Sequence, residues 1–85
     1  MTKSIHRQEH RVLLELLREQ RLKARLTQTQ VSSDLGRSQS FMSDVERGTR
    51  RLDLVQLRDL CAVLKTDLVS FVSAYERALA RNRRR

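Results

Sequence analysis

Apolar residues recur at helical spacing along most of the chain, and this pattern predicts five helices. The first is expected from about Ile5 to Ala24, with Ser4 as its candidate cap, because neither glycine nor proline interrupts the stretch. Its inner stripe is predicted at Leu13, Leu16, Leu17, Gln20 and Ala24. Three further apolar residues lie off this stripe: Val12, Leu14 and Leu22. They are more apolar surface than a small monomer usually exposes, so a neighbouring segment or a second subunit is expected to meet some of them.

Two short helices joined by a tight turn are predicted between Thr27 and Gly48. Thr27 and Gln30 match a capping box at the start of the first of these helices. Gly36 is expected to end that helix, because glycine adopts a left-handed backbone without strain. Ser38 is the candidate N-cap of the next helix, which is expected to end before Gly48.

The helix that follows Ser38 has two unlike faces when each residue advances by about 100°. One side carries Gln39, Ser40, Ser43, Asp44 and Arg47, and the other carries Ser38, Phe41, Met42 and Val45. The apolar side is expected to pack on its own protein. The polar side would suit hydrogen bonding to a polar surface, such as the base edges in a DNA major groove. An ordinary amphipathic surface helix has the same pattern, so both interpretations stay open here.

Two more helices complete the predicted fold. Asp53 is expected to cap the fourth, with Gln56 at the capping-box position and an apolar face of Leu54, Leu57, Leu60, Cys61 and Leu64. Thr66 or Asp67 can cap the fifth, which is expected from Leu68 to about Arg81. The apolar stripe of the fifth helix is wide, so we expect part of it to form a dimer interface at Val69, Phe71, Val72, Tyr75 and Leu79. Purely intramolecular packing is the alternative.

Composition favours one small helical domain. The chain has 85 residues, of which 39% are hydrophobic, with two glycines and no proline. We therefore expect an N-terminal extension of the first helix at 1–11, a helical domain with a C-terminal dimerisation helix at 12–80, and a disordered basic tail at 81–85. No apolar run is long enough to span a membrane, and the first ten residues lack the apolar core of a secretory signal.

The charge of the chain favours a polyanionic partner. Lys and Arg number 18 against 10 Asp and Glu, which gives a net charge of +8, and nucleic acid is the commonest partner of such a chain. An anionic membrane is a competing interpretation, disfavoured because aromatic residues make up only 4% and tryptophan is absent. Plain solubility is another. Arg47, Arg50 and Arg51 lie at and just after the end of the helix predicted after Ser38. Guanidinium groups there would suit phosphate oxygens of a DNA bound to that helix, although a solvated loop would have the same sequence.

Residues that carry chemistry are sparse. Cys61 is the single cysteine and lies in an apolar helical pattern, so a buried, inert thiol is expected. His6 and His10 are four positions apart, but two histidines alone make a poor metal site. No Ser-His-Asp set and no pair of carboxylates in an apolar setting is visible. We therefore expect no catalytic residues, no metal and no cofactor.

Three segments resemble the phage repressor and Cro family of helix-turn-helix regulators, the xenobiotic-response-element (XRE) type. They are LTQTQVSSDLG from Leu26, SQSFMSDVERG from Ser38 and RLDLVQLRDLCAVL from Arg51. The resemblance covers roughly Val12 to Leu79, and the Leu-Thr-Gln start, the Leu-Gly turn and the Glu-x-Gly exit occur together at the family's spacing. It implies a lambda repressor-like DNA-binding domain, that is, an all-α, compact five-helix bundle containing a helix-turn-helix.

The resemblance also implies roles for individual residues. Gln39, Ser40, Ser43 and Asp44 fall where the family recognises bases. DNA backbone contacts are expected from Gln28, Arg37 and Ser38 by resemblance, and from Arg47, Arg50 and Arg51 by charge. Arg21 and Glu46 occupy positions that form a buried structural ion pair in several relatives.

Three departures from the family pattern affect these expectations. Ser32 replaces a small apolar residue where the two helices approach, and little change is expected. Arg25 stands where relatives often have glycine, so this helix end is expected to be tighter or strained. Asp44 stands where many relatives carry Lys or Gln; it can accept a hydrogen bond from cytosine N4, or pair with Arg47 or Arg50 and orient it.

The expected function is a sequence-specific transcription regulator that binds double-stranded DNA as a homodimer. Two half-sites would lie about one DNA turn apart, roughly 34 Å, and give a palindromic operator. The expected location is the cytoplasm, in association with the nucleoid. The alternative is a protein-interaction module of the same fold, with a toxin or a co-regulator as its partner. An enzyme is disfavoured because no catalytic set is visible.

Overall fold

The computed structural model describes residues 7–83, and these form five α-helices. They are α1 (Gln8–Lys23), α2 (Gln28–Asp34), α3 (Phe41–Arg47), α4 (Leu54–Val63) and α5 (Leu68–Arg83). The prediction of an all-α fold with five helices is confirmed. The predicted cap Ser4, the predicted helix start Ile5 and the histidine His6 lie outside the described residues.

Side-chain caps begin three of these helices. The Thr27 hydroxyl accepts the Gln30 backbone N–H at 3.0 Å, and the Gln30 side chain accepts the Thr27 N–H at 2.8 Å. The same reciprocal exchange begins α4 at Asp53, so both predicted capping boxes are present. At α5 the cap is Asp67 rather than Thr66. Its carboxylate accepts the backbone N–H and the hydroxyl of the residue three positions on, both at 2.9 Å, and these bonds lower the pKa of Asp67.

Each of the helices α1 to α4 is followed, within two residues of its end, by a residue with a left-handed backbone. These residues are Arg25 (φ 63°), Gly36 (φ 67°), Gly48 (φ 82°) and Lys65 (φ 65°). At every one, its own N–H and the next N–H bond back to carbonyls of the last helical turn. Glycine adopts this conformation freely, so Gly36 and Gly48 end their helices as predicted. At Arg25 the same conformation costs about 1–2 kcal/mol, which is the strain expected where relatives have glycine.

One core joins all five helices. Its buried members are Leu16, Leu17, Val31, Phe41, Met42, Val45, Leu60, Cys61, Leu64 and Phe71. Helices α1 and α5 also meet in a second, smaller cluster of Val12, Ala78 and Leu79. Val12 is therefore an inner residue, and its predicted place off the α1 stripe is wrong. The expectation that a neighbouring segment meets some of the apolar residues off that stripe is confirmed, because Val12 packs on α5. The prediction used one stripe, whereas α3 and α5 both pack on α1 and cover more than one face of it.

The apolar surface of α5 is largely used inside the domain. Phe71 and Leu79 are 2% and 6% exposed, so in this fold they are not available to a second subunit, contrary to the predicted dimer interface. The Tyr75 hydroxyl donates to the Glu9 carbonyl oxygen at 2.9 Å and also docks α5 on α1. Of the apolar residues expected to form the interface, Val69 and Val72 are exposed.

Both ends of the α4–α5 pair differ from expectation. Leu54 was predicted on the inner face of α4, but it is 66% exposed, because the packed residues of α4 lie in its later turns. Helix α5 continues to Arg83, past its predicted end at Arg81, so the first part of the expected disordered tail is helical. Docking of Ala78 and Leu79 on α1 holds this last stretch, and a helix already formed extends at little cost. Residues 84–85 lie outside the described residues.

Candidate nucleic-acid interface

Helix α3 begins later than predicted. Its first residue is Phe41, and Ser38 lies in the turn before it, where the Ser38 carbonyl accepts the Phe41 N–H at 3.0 Å. The predicted N-cap role of Ser38 is therefore wrong. The residue at the N-cap position, Ser40, makes no side-chain capping bond either. An N–H in the first turn of a helix needs another partner in such a case.

Ser32 of α2 supplies that partner. Its hydroxyl, which is completely buried, accepts the Met42 backbone N–H at 2.9 Å. The bond joins the middle of α2 to the first turn of α3 and fixes the approach of the two helices. Serine is thus small enough for the approach, as expected, and it has a further role that the sequence did not predict, because a small apolar residue would leave this N–H without its partner. The sequence did contain one sign of this role, namely a serine at a position where relatives have a small apolar residue.

The predicted two faces of α3 are present. Phe41, Met42 and Val45 are buried against the core. The polar residues Gln39, Ser40, Ser43, Asp44 and Arg47 are exposed or half-buried, with Gln39 and Ser40 just ahead of the first helical residue. The Ser43 hydroxyl donates to the Ser40 carbonyl oxygen at 3.0 Å. A row of hydrogen-bonding groups is thus presented outward on a helix whose opposite side is held in the core.

Asp44 forms an ion pair with Arg47. The Asp44 side chain is 31% exposed and that of Arg47 is 65% exposed. The Asp44 carbonyl oxygen also accepts the backbone N–H groups of Thr49 and Arg50, at 3.0 and 3.2 Å. Of the two roles expected for Asp44, the structure thus contains the pairing with Arg47. Pairing reduces the cost of placing a carboxylate near phosphates, because the guanidinium offsets its charge.

Two other arginines lie against one aromatic ring. The guanidinium carbon of Arg37 is 4.5 Å from the centroid of the Phe41 ring, and that of Arg50 is 5.0 Å from it. Both distances are within the range of cation–π attraction. Arg37 precedes α3 and Arg50 follows it, so the fold brings two positive charges from different segments together at the start of α3.

A buried ion pair ties α3 to the rest of the fold. Arg21 Nε donates to Glu46 Oε2 at 2.6 Å, and Arg21 Nη2 donates to Glu46 Oε1 at 3.1 Å. The third nitrogen, Nη1, donates to the Leu26 carbonyl oxygen at 2.9 Å. Gln28 Nε2 donates to Glu46 Oε1 at 2.9 Å. The cluster joins α1, the start of α2 and the end of α3, and therefore fixes the position of α3 on the domain.

Comparison with known proteins agrees with this arrangement. A sequence model of a helix-turn-helix domain family matches residues 12–72. A solved structure, an XRE-family like protein from Pseudomonas syringae pv. tomato, is similar at a TM-score of 0.78 and 40% sequence identity, over 86% of this chain and 89% of that one. The chain belongs to the XRE family of helix-turn-helix proteins. No curated protein matches it.

Family membership makes this XRE protein a DNA-binding regulator and identifies α2 and α3 as its helix-turn-helix. Gln28, expected to hold a phosphate, stands in the first turn of α2. One N–H of its side-chain amide is used by Glu46. A primary amide carries a second N–H, so the bond to Glu46 orients the group without using up its capacity to donate.

Arg47, Arg50 and Arg51 of this XRE protein make different contacts. Arg47 pairs with Asp44 and Arg50 lies on the Phe41 ring. Arg51 lines a shallow pocket beside His10 and Tyr75, where α1 and α5 meet. Arg50 and Arg51 also line one pocket together with His10, so these two stay close to each other while Arg47 is held by Asp44.

His10 and Cys61 each have a buried group that could in principle bind a metal or react. His10 Nε2 is buried without a hydrogen-bond partner among residues 7–83, and burial, with the positive charge of Arg51 second, lowers the pKa of His10. Cys61 is buried as expected, and burial raises the pKa of its thiol. Within the described part of the chain, His, Cys, Asp and Glu side chains do not gather in a group that could hold a metal ion. Nor is any described helix both long and apolar enough to cross a bilayer.

Proposed function

We propose that this XRE-family protein binds double-stranded DNA sequence-specifically as a homodimer, with α3 of each subunit in the major groove. The observation that carries the proposal is the two-sided character of α3. Phe41, Met42 and Val45 anchor one side in the core, and the other side offers short polar groups to solvent. A major groove admits one helix and presents donors and acceptors to such a face.

Base recognition is assigned to Gln39, Ser40, Ser43 and Asp44 of the turn and α3. A glutamine amide can pair with adenine N6 and N7, and a serine hydroxyl can donate or accept. A carboxylate can accept from cytosine N4. Because Asp44 also holds Arg47, we propose that the two act as one element, in which the carboxylate orients the guanidinium toward the base or phosphate beside it.

Contacts to the DNA backbone are assigned to residues that surround α3: Gln28, Arg37, Ser38, Arg47, Arg50 and Arg51. Arg37 and Arg50 are supported most directly, because both are exposed and their guanidinium groups lie together on the ring of Phe41, the first residue of α3. Each phosphate that such groups neutralise should add about 0.9 to the slope of log affinity against log salt. The net charge of +8 should add non-specific attraction for any duplex.

The homodimer is proposed to form through α5, and exposed Val69 and Val72 support this. Its two recognition helices would then meet half-sites about one DNA turn apart, which calls for a palindromic operator. In this arrangement 12–80 is the DNA-binding domain with its dimerisation helix, and 81–85 adds basic residues. Because its ligand is DNA, the protein is proposed to work in the cytoplasm at the nucleoid.

The proposal is tested by measuring the free energy of binding to a library of random duplexes for the wild type and two variants. Gln39→Ala should lose about 1–3 kcal/mol at one base position of each half-site. Arg50→Ala should weaken binding to all sequences alike and reduce the salt slope by about one. The assignment of the recognition face is wrong if Gln39→Ala keeps the wild-type sequence preference. A chain that binds no duplex at low salt but co-purifies with a second polypeptide would instead be an interaction module.

A further inference from the structure

Phe41 has an unusual position for a core residue. It is the first residue of α3 and is only 3% exposed, although it lies where α3 meets the solvent-exposed turn. The guanidinium carbons of Arg37 and Arg50 lie 4.5 and 5.0 Å from its ring centroid. The ring thus belongs to the core and also contacts two cations, one from the segment before α3 and one from the segment after it.

Two positive side chains would not gather at one place without an attraction that offsets their repulsion. The negative face of an aromatic ring supplies such an attraction. Within residues 7–83, neither Arg37 nor Arg50 forms a salt bridge with a carboxylate. The ring interaction uses no N–H of the guanidinium, so the donors of both groups are kept for an external acceptor.

We propose that Phe41 is a positioning residue for DNA binding. Its ring holds the guanidinium groups of Arg37 and Arg50 together at the start of α3, where they can donate to DNA phosphates. The inference rests on the proposed function, because it takes DNA phosphates as the acceptors. A leucine or methionine at this place could fill the core but has no aromatic face, and both arginines would then sample many rotamers before binding.

The expected consequence is a loss of affinity that does not depend on DNA sequence. Immobilising one flexible side chain on binding corresponds to roughly a twofold to tenfold change in affinity. With two arginines released, Phe41→Leu should weaken binding to every duplex by about fivefold or more. The preferred sequence should not change, because the ring contacts no base in this scheme.

A double-mutant cycle separates positioning from a general effect on folding. Duplex affinity is measured for the wild type, Phe41→Leu, the Arg37→Ala/Arg50→Ala double variant, and the triple variant. Phe41→Leu should weaken the wild type but leave the affinity of the double variant unchanged within about twofold, since the residues act through one another. Equal weakening in both backgrounds, or none in the wild type, would overturn the proposal.

Controls keep this outcome distinct from failure of the proposed function. Leu60→Met alters another fully buried residue of the same core, on α4 and outside the helix-turn-helix, and should leave duplex affinity unchanged. Phe41→Met replaces Phe41→Leu if the latter fails to fold, with the same expectations. If the wild type binds duplex and the arginine variant binds weakly, the proposed function stands whatever Phe41→Leu does. If the wild type does not bind, the proposed function itself fails.

Discussion

Removing either partner of the Arg21–Glu46 pair should destabilise the fold strongly. The two side chains are only 9% and 6% exposed. Arg21 also donates to the Leu26 carbonyl oxygen, and Glu46 also accepts from Gln28, both at 2.9 Å. Glu46→Leu would leave a buried guanidinium without its carboxylate, and Arg21→Met would leave a buried carboxylate without its guanidinium.

The expected size follows from the burial of the pair. Removing one partner of a buried ion pair costs about 3–5 kcal/mol, because the remaining charge stays desolvated. A domain of 85 residues has a total stability of about 4–13 kcal/mol, at roughly 0.05–0.15 kcal/mol per residue. Each single variant should therefore lose a large share of its stability. The double variant Arg21→Met/Glu46→Leu buries no charge and leaves only the groups of Leu26 and Gln28 to find new partners, so it should lose no more than either single variant.

The assay is denaturant unfolding of the four proteins without DNA, followed by circular dichroism. The coupling free energy between the two substitutions should be at least about 3 kcal/mol. If each single variant instead loses less than about 1 kcal/mol and the losses add, the pair behaves as an exposed one. In that case the reasoning that Arg21 and Glu46 fix α3 on the domain is refuted.

Further substitutions test the helix ends, the contact between α2 and α3, and the buried histidine. Arg25→Gly should raise the unfolding free energy by about 1 kcal/mol, because glycine adopts the left-handed backbone without strain. Lys65 has the same left-handed backbone, so Lys65→Gly should give a similar gain, and unchanged stability in both variants would contradict the strain. Ser32→Ala should lower the unfolding free energy by about 1–3 kcal/mol, because the Met42 N–H is left unsatisfied, and thermal melting that matches the wild type would show that water replaces the hydroxyl. Burial lowers the pKa of His10 in the folded state, so its contribution to stability is complete above its usual pKa of about 6.5 and is lost as the pH falls toward the folded value. His10→Leu should therefore flatten the pH dependence of the unfolding free energy below about pH 6.5, and an unchanged pH profile there would contradict the assignment.

Local signals predicted the helix boundaries well where the interactions themselves are local. The caps at Thr27 and Asp53 join residues three positions apart, so the sequence contains both partners of each bond. Gly36 and Gly48 end their helices because of their own backbone freedom. The start of α3 was misplaced because its cap comes from Ser32, ten positions before Met42, and no local pattern contains that bond.

The faces of the long helices were predicted less well than their extents. Spacing indicates which residues share one side of a helix, but it does not indicate how many sides a neighbouring helix covers. Val12 was assigned outside the core and Phe71 to a dimer interface, yet both are buried within this chain. Their surroundings depend on how α5 docks on α1 and α4, which is a tertiary feature.

Two contacts around the candidate site were predictable from the sequence, the Arg21–Glu46 ion pair and the pairing of Asp44 with an arginine, but the other contacts were not. The sequence indicated Asp44, Arg47 and Arg50 as neighbours of the recognition face. It did not indicate that Arg50 would lie on the Phe41 ring, or that Arg51 would lie beside His10. A long side chain has many rotamers, and the one it adopts depends on the groups that the fold brings near it. For these arginines, those groups come together only when α1, α3 and α5 have packed.

The central claim is that α3 recognises DNA sequence as part of a symmetric dimer. Selection of bound sites from random duplex DNA by the wild-type protein tests it most directly. The expected result is an enriched palindrome whose half-sites are separated by about one helical turn. Failure to enrich any sequence at a salt concentration where the protein still binds duplex DNA would contradict the claim, because phosphate contacts alone do not distinguish sequences.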